Sequence, residues 1–280
     1  MQYRRGEEGP PSASTGAAKG AAALPARARR LLSTALPGLA GLAFLLLLWW
    51  LGTDLLAAEG GFARRFSPTA TLPVLLHLLA TPELWLHIGV SLKRILVGLT
   101  LSLAVGIPLG LVVGASARVD AATSPSFQFL RMTSPLSWMP IAIMLFGVGD
   151  VPIYFLLAFA AVWPILLNTA AGVRQLNPEW LLLGKSLAAT RGELLLHIVL
   201  PGILGHVLTG IRLAIGISWI VLVPCEMLGV QAGLGYFILD TRDRLAYPEL
   251  MATILVVGIT GFLLDSLARG LARRFGPEGA

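Results

Sequence analysis

Long apolar runs separated by short polar stretches constrain this chain more than any other feature. Leu31 to about Ala58, Leu96–Gly114, about Phe127–Val148, Val151–Val173, about Ile203–Leu228 and about Leu250–Ala268 can each cross a hydrocarbon core about 30 Å thick. Inside lipid every backbone N–H and C=O must find its partner within the protein, so such runs fold as helices. The expected fold is therefore all-α integral membrane, with about six transmembrane helices. Composition agrees: of 280 residues 56% are hydrophobic and 13% charged, where soluble domains carry about 25% charged residues.

Charge sets the orientation. With six spans both termini share a side, and 15 of the 21 Lys and Arg fall on it. The positive-inside bias makes that side cytoplasmic. The net charge of +6 therefore reads as basic loops at a membrane surface, with membrane lipid and not nucleic acid as the neighbour. Residues 1–26, rich in Gly, Ala, Ser and Pro, form an expected disordered tail. The run after Arg27, Arg29 and Arg30 is too long for a signal-peptide core and is read as a retained first span.

Between spans, Thr81-Pro82-Glu83 signals a helix start, Ala115–Pro125 reads as a short polar loop, and Gly147–Pro152 reads as a tight turn. Ser134-Pro135 and Pro140 predict that the 127–148 span is kinked or broken. Gly106 and Gly110 form a small-xxx-small pattern for close helix packing.

The stretch Asn177–Gly202 is apolar yet carries Glu179, Lys185, Arg191 and Glu193. Asn177 is a good N-cap, and Pro178 fits the first helical position. Thr190 with Glu193 three residues on makes a capping box, and Pro201-Gly202 is expected to end that second helix. The result is a helix–turn–helix on the cytoplasmic side. Its turn, Leu187–Arg191, suits contact with a partner: Ala188 and Ala189 allow close backbone approach, and Arg191 can pair with an acidic groove or stand as a solvated charge.

Enzymatic signals are missing. Gly184-Lys185-Ser186 lacks the glycine that a phosphate-binding loop places five residues earlier, where Glu179 stands. No catalytic residues, metal ligands or cofactor motif emerge, and the four His and the single Cys225 have no ligand spacing. Uphill transport would then need an ion gradient or a partner. Few ionisable groups lie within the spans, Glu226 foremost, with Arg212 and Asp265 near span ends. That favours a partner over the alternative, a stand-alone secondary transporter or channel.

The stretch is similar to the cytoplasmic loop of type I ABC importer permeases, whose pattern is EAA, three residues, Gly, nine residues, then I-x-L-P. Ile198-Val199-Leu200-Pro201 matches the end, which puts Leu182, Leu183 and Gly184 at the EAA positions and Ala188 at the glycine. SPLSWMPIAIMLFGVGD, FAAVWPILLNTAAGVRQLNPEW and GISWIVLVPCEMLGVQAGLGYFILDTRDRLAY resemble the nitrate/sulfonate/taurine/bicarbonate group of these permeases. The resemblance implies a bacterial inner-membrane permease domain at 85–273. Residues 27–84 would be a first helix and periplasmic segment, and 274–280 a cytoplasmic tail. It implies import of a small oxyanion or organosulfonate by a permease homodimer. ABC ATPase subunits lie below it, and a periplasmic or lipid-anchored solute-binding protein above. ATP is hydrolysed in the separate subunit.

The docking residues implied are Glu179, Lys185, Leu187, Ala188, Ala189, Thr190, Arg191 and Pro201. Ser137, Asn168, Ser218, Trp219 and Glu226 are candidates for the translocation path, or equally for hydrogen bonding between helices. For Glu226, a structural or gate role paired with Arg94 or Arg242 is expected.

Overall fold

The computed structural model describes residues 26–55 and 61–275; the two expected tails fall outside them except at their edges. Helix α1, Ala26–Trp50, is followed by a π-helical turn, Leu51–Leu55. The chain up to Trp49 forms one unit and the chain from Trp50 a second. In the first, Leu42 and Phe44 to Leu48 are exposed, an all-round apolar helix suited to lipid.

The second unit contains that π-helical turn, then a 3-10 turn, Phe62–Phe66, followed by α2 (Pro68–Ala80), α3 (Pro82–Ala115) and α4 (Ala117–Met132). A 3-10 turn, Pro135–Trp138, leads into α5 (Met139–Phe146), and α6 covers Asp150–Gln175. Then come α7 (Pro178–Ser186), α8 (Arg191–Leu194), a π turn (Leu195–Val199), α9 (Leu200–Gly229), α10 (Leu234–Asp243) and α11 (Tyr247–Phe275). Local chemistry sets the starts. Ser67 and Ser116 cap α2 and α4 by accepting from Ala70 N and Val119 N, and Pro82 opens α3. Gly147 and Gly149, at φ 79° and 138°, make the turn into α6.

Pro82–Ala115, Asp150–Gln175, Arg191–Gly229 and Tyr247–Arg274 are long and apolar enough to cross a membrane. They contain the runs expected at 96–114, 151–173, 203–228 and 250–268. The expected break at Ser134-Pro135 is present: α4 and the Pro135–Phe146 segment are bent by 85°. Two expectations are corrected. Ala115–Pro125 is not a loop but the first turns of α4; Ser116 caps it, an Asp120–Arg174 ion pair ties it to α6, and Pro125 forfeits only one helix bond. Pro201-Gly202 does not end a helix either. Leu200 N–H bonds to Leu195 O in the π turn, which shifts the ladder by one residue, and Pro201 then sits in the first turn of α9.

The core lies among α3, α6 and α9. Gly98, Ser102, Gly106, Gly110 and Gly114 recur every four residues along α3 and face α6. A Cβ at Gly98 would lie 2.6 Å from Leu157 Cβ, at Gly110 2.6 Å from Thr169 Cβ, and at Gly114 2.7 Å from Val173 Cβ. The backbones therefore approach as only small residues allow, which is how helices gain contact where lipid is as apolar as leucine. Ser102 adds hydrogen bonds to Gly98 O and, across the interface, to Ala158 O at 3.2 Å. On the other side of α6, a Cβ on Gly210 of α9 would lie 3.0 Å from Pro164 O.

At about 1.5 Å per residue, the 34-residue α3 is about 51 Å long. It outreaches a hydrocarbon core about 30 Å thick.

Gly110→Val should force α3 and α6 apart and cost about 2 kcal/mol, the usual scale of overpacking. Gly89→Ala, with nothing within 4 Å of the added Cβ, should raise stability by about 0.5–1 kcal/mol through helix propensity. Thermal unfolding of the two purified variants in detergent measures the difference.

Candidate functional site

Two polar constructions stand at opposite ends of the helical unit, with a cavity between them. The first is the elbow joining α7 to α8. Asn177 Oδ1 accepts from Glu179 N at 2.9 Å and starts α7. The helix closes with Ala189 N bonding to Gly184 O and Ala188 N to Lys185 O, each at 3.0 Å. That is a Schellman motif, in which the residue at Ala188's position turns left-handed. Ala188 has φ 55°, the conformation that glycine supplies more easily. Thr190 then caps α8 with a complete capping box to Glu193.

The elbow is tied down from beneath. A Cβ on Gly184 would collide with Leu194 and Ile198, so α7 lies directly on α8 and the π turn. This explains a glycine inside a helix in the Gly-Lys-Ser triplet. Leu181 packs among Leu176, Ile203 and Val207. By contrast Trp180, Leu182, Leu183 and Leu187 are exposed, Leu187 by 75%. Glu179, Lys185 and Arg191 are exposed too, and no ion pair engages Lys185 or Arg191 among the described residues. Ala188 and Ala189 lie at the turn, and Pro201 lies beyond the π turn.

The second construction was only half visible in the sequence. Arg94 Nη1 donates to Glu226 Oε1 at 2.7 Å and to Ala232 O at 2.6 Å, while Nη2 donates to Asp150 Oδ1 at 2.6 Å. Arg94 is 3% exposed and Glu226 0%. Of the two partners expected for Glu226, Arg94 is the actual one; Arg242 pairs with its neighbour Asp243. The missed part is the approach to α10. Gly233 N donates to His87 Nδ1 at 3.0 Å, Leu234 N to Ser91 Oγ at 2.8 Å, and Gly235 N to Glu226 Oε2 at 2.9 Å.

Orphan donors at a helix start are thus satisfied by side chains of α3 and α9. Gly233 has φ 115°, and a Cβ there would land on the Glu226 carboxylate; a Cβ at Gly235 would land on Val223 O. The signal available in the sequence was Gly-Leu-Gly just after an intramembrane acid. One arginine binds α3, α6, α9 and the loop before α10 into one clamp.

The expected path residues do not form one site. Glu226 belongs to the clamp. Ser218 is fully buried with no partner for its Oγ. Trp219 is half-buried against Gly261 of α11. Ser137 is exposed on the 3-10 turn before α5. Asn168 lines a cavity of about 380 Å³, shared with Arg131, Thr133, Trp163 and Pro164. Sequence reasoning missed Arg131 there, because it counted it among the cytoplasmic charges. Among the described residues no cluster of His, Cys, Asp and Glu could hold a metal ion.

A family profile described as "Binding-protein-dependent transport system inner membrane component" matches residues 106–278. The chain is 36% identical to the bicarbonate transport system permease protein CmpB of Synechococcus elongatus over 185 residues, 65% of this chain and 66% of that protein. It thus spans just under two thirds of that relative. It is 34% identical to the nitrate import permease protein NrtB of Leptolyngbya laminosa, over 70% of each chain. It is 32% identical to the taurine transport system permease protein TauC of Escherichia coli, over 84% of this chain and 87% of that one. An inward-facing structure of the MetNI methionine ABC transporter shares the fold. The TM-score is 0.58 at 14% identity, covering 70% of this chain and 99% of that one.

Glu226→Ala should cost about 1–3 kcal/mol, because Arg94 keeps Asp150 while the buried donors of Arg94, Ser91 and Gly235 lose their acceptor. Glu226→Gln keeps the shape and an acceptor and should cost less. Melting curves of the detergent-solubilised protein rank the pair, and equal melting temperatures for Glu226→Ala and wild type would remove the clamp from the stability account.

Proposed function

The chain belongs to the family of binding-protein-dependent transport system inner membrane components, and from that premise we propose that it forms the membrane path of an ATP-driven importer. The solute is a small oxyanion or organosulfonate; relatives named for bicarbonate, nitrate and taurine support that class. Two copies form the path in the bacterial inner membrane, with both termini cytoplasmic. A solute-binding protein delivers from outside, and ATP is hydrolysed by separate subunits docked from the cytoplasm.

One observation carries the coupling role. The elbow presents Leu187 and Ala188 at a fixed left-handed turn, with Lys185 and Arg191 unpaired beside it, on a base that Gly184 and the capping box make rigid. An exposed apolar knob on a rigid mount is built for a groove on another protein. Asn177 caps the far end of α7 by accepting from Glu179 N, and Thr190 fixes the start of α8. Pro201 follows the π turn through which movement of the elbow enters α9.

From Arg191 to Gly229 the helix runs 39 residues, about 58 Å at the usual rise. Its far end carries Glu226 of the clamp. Closure of the ATPases would tilt the elbow, and α9 would carry that tilt to the outer end. A proton-driven carrier would use a membrane acid such as Glu226, but this acid is already held by Arg94.

Ala188→Trp should insert normally yet reduce uptake by about tenfold or more, since a bulky side chain at the turn blocks seating. Uptake of nitrate, bicarbonate and taurine into vesicles with ATP inside tests both parts. Normal uptake by Ala188→Trp refutes docking at this turn. Uptake that follows an imposed ion gradient and ignores ATP refutes the importer.

A further inference from the structure

The cavity at the break between α4 and α5 is not explained by the elbow or the clamp. Its volume is about 380 Å³, within the range of small-ligand sites. One wall is the break itself, with Arg131 and Thr133; a second is the middle of α6, with Trp163, Pro164 and Asn168; Leu213, Ile217 and Val221 of α9 form an apolar third. Discontinuous helices at mid-membrane are where transport proteins place their solute contacts.

The hydrogen bonds sort the polar groups. Asn168 Nδ2 donates to Pro164 O at 2.8 Å, and Thr133 Oγ1 donates to Phe129 O at 3.2 Å. The Thr133 hydroxyl proton and one of the two Asn168 amide protons are thereby occupied. Arg131 Nη2 donates to Gln128 Oε1 at 2.9 Å, a neutral partner. Among the described residues no carboxylate pairs with Arg131, whereas Arg94 of the clamp has two. Arg131 is exposed, so its guanidinium is open to a solute that enters the cavity.

Two further observations agree. Asp120, Ser124, Gln128 and Arg131 follow one another at helical spacing, so α4 carries a polar stripe from the Asp120–Arg174 pair to the cavity. Trp163, 8% exposed, holds its Nε1–H in the same wall region without an acceptor. The broken segment meets α6 through aromatic contacts, Phe127–Trp163 at 5.7 Å and Trp138–Phe159 at 5.6 Å. Small-residue locking of the α3–α6 kind is not seen there.

We infer that this cavity is a transient subsite for the translocated oxyanion, with the free edge of the Arg131 guanidinium as its charge partner. It rests on the proposed importer function and adds the residue that reads the solute's charge. Gln128 holds the guanidinium in place, and the stripe along α4 leads toward the elbow end. Nitrate, bicarbonate and a sulfonate each offer the paired oxygens that a guanidinium edge binds.

The test uses the whole transporter, with its ATPase and binding protein, in proteoliposomes supplied with nitrate, bicarbonate or taurine. Uptake and ATP hydrolysis are read together. Arg131→Gln should lower uptake by about tenfold or more, the scale of a lost charged hydrogen bond. Binding-protein-stimulated hydrolysis should stay within about twofold, as a site that acts on solute and not on assembly requires. Arg131→Lys should restore most of the uptake. Gln128→Glu, nearly isosteric, should lower uptake comparably by giving Arg131 an internal carboxylate. Uptake at the wild-type level in either Arg131→Gln or Gln128→Glu overturns the subsite. If Arg131→Gln does not assemble, Gln128→Glu decides alone. A wild-type transporter that hydrolyses ATP but moves none of the three anions overturns the solute class instead.

Discussion

Hydrocarbon offers no partner for an unpaired backbone group, and the rest of this structure follows from that constraint. Helices can be interrupted only where protein or water satisfies what the break sets free. The breaks here fall at the Ser134-Pro135 bend, the π turn before α9, the Gly147–Gly149 turn and the Gly233 approach to α10. The π turn ends the elbow and the Gly233 approach lies inside the clamp, while the bend walls the cavity and the Gly147–Gly149 turn leads into Asp150 of the clamp.

The clamp shows how such a departure is stabilised. A buried ion pair alone is weak support, because desolvation offsets the attraction. Here Glu226 also accepts from Ser91 and Gly235, and Arg94 also serves Ala232 O and Asp150. The remaining polar valences are filled, so the pair joins four segments without leaving an orphan charge. The elbow is held differently, by backbone geometry and by Gly184 under Leu194 and Ile198. One end is fixed by charge and the other by shape, and α9 spans both.

What could be read in the sequence was what depends on neighbours along the chain. The apolar runs gave four crossing helices, Asn177 and Thr190 gave their caps, and Ser134-Pro135 gave the bend. Arg94 was one of two partners expected for Glu226, beside Arg242. What stayed hidden depended on distant contacts. Ser116 and Arg174 make a helix of a stretch whose polarity suggested a loop. The π turn carries the chain past Pro201, a residue that by local rules stops helices. Arg131 looks like any cytoplasmic charge until α6 is seen to close the cavity around it.

Ala188 joins both kinds of evidence. The resemblance places a glycine there, and the chain has alanine. The structure gives the physical content of that difference: the position is the left-handed residue of a Schellman turn, and Ala188 adopts it at φ 55°. The substitution therefore alters energy, by roughly 1 kcal/mol, and not the shape of the turn. Leu245, at φ 59° and 66% exposed, ends α10 with the same bonding, Ala246 N to Thr241 O and Leu245 N to Arg242 O. A non-glycine residue holds such a conformation only where its surroundings over-determine it. At Ala188 those surroundings are the Gly184 contact on one side and the Thr190–Glu193 box on the other. The turn keeps its form without glycine because both of its flanks are already fixed.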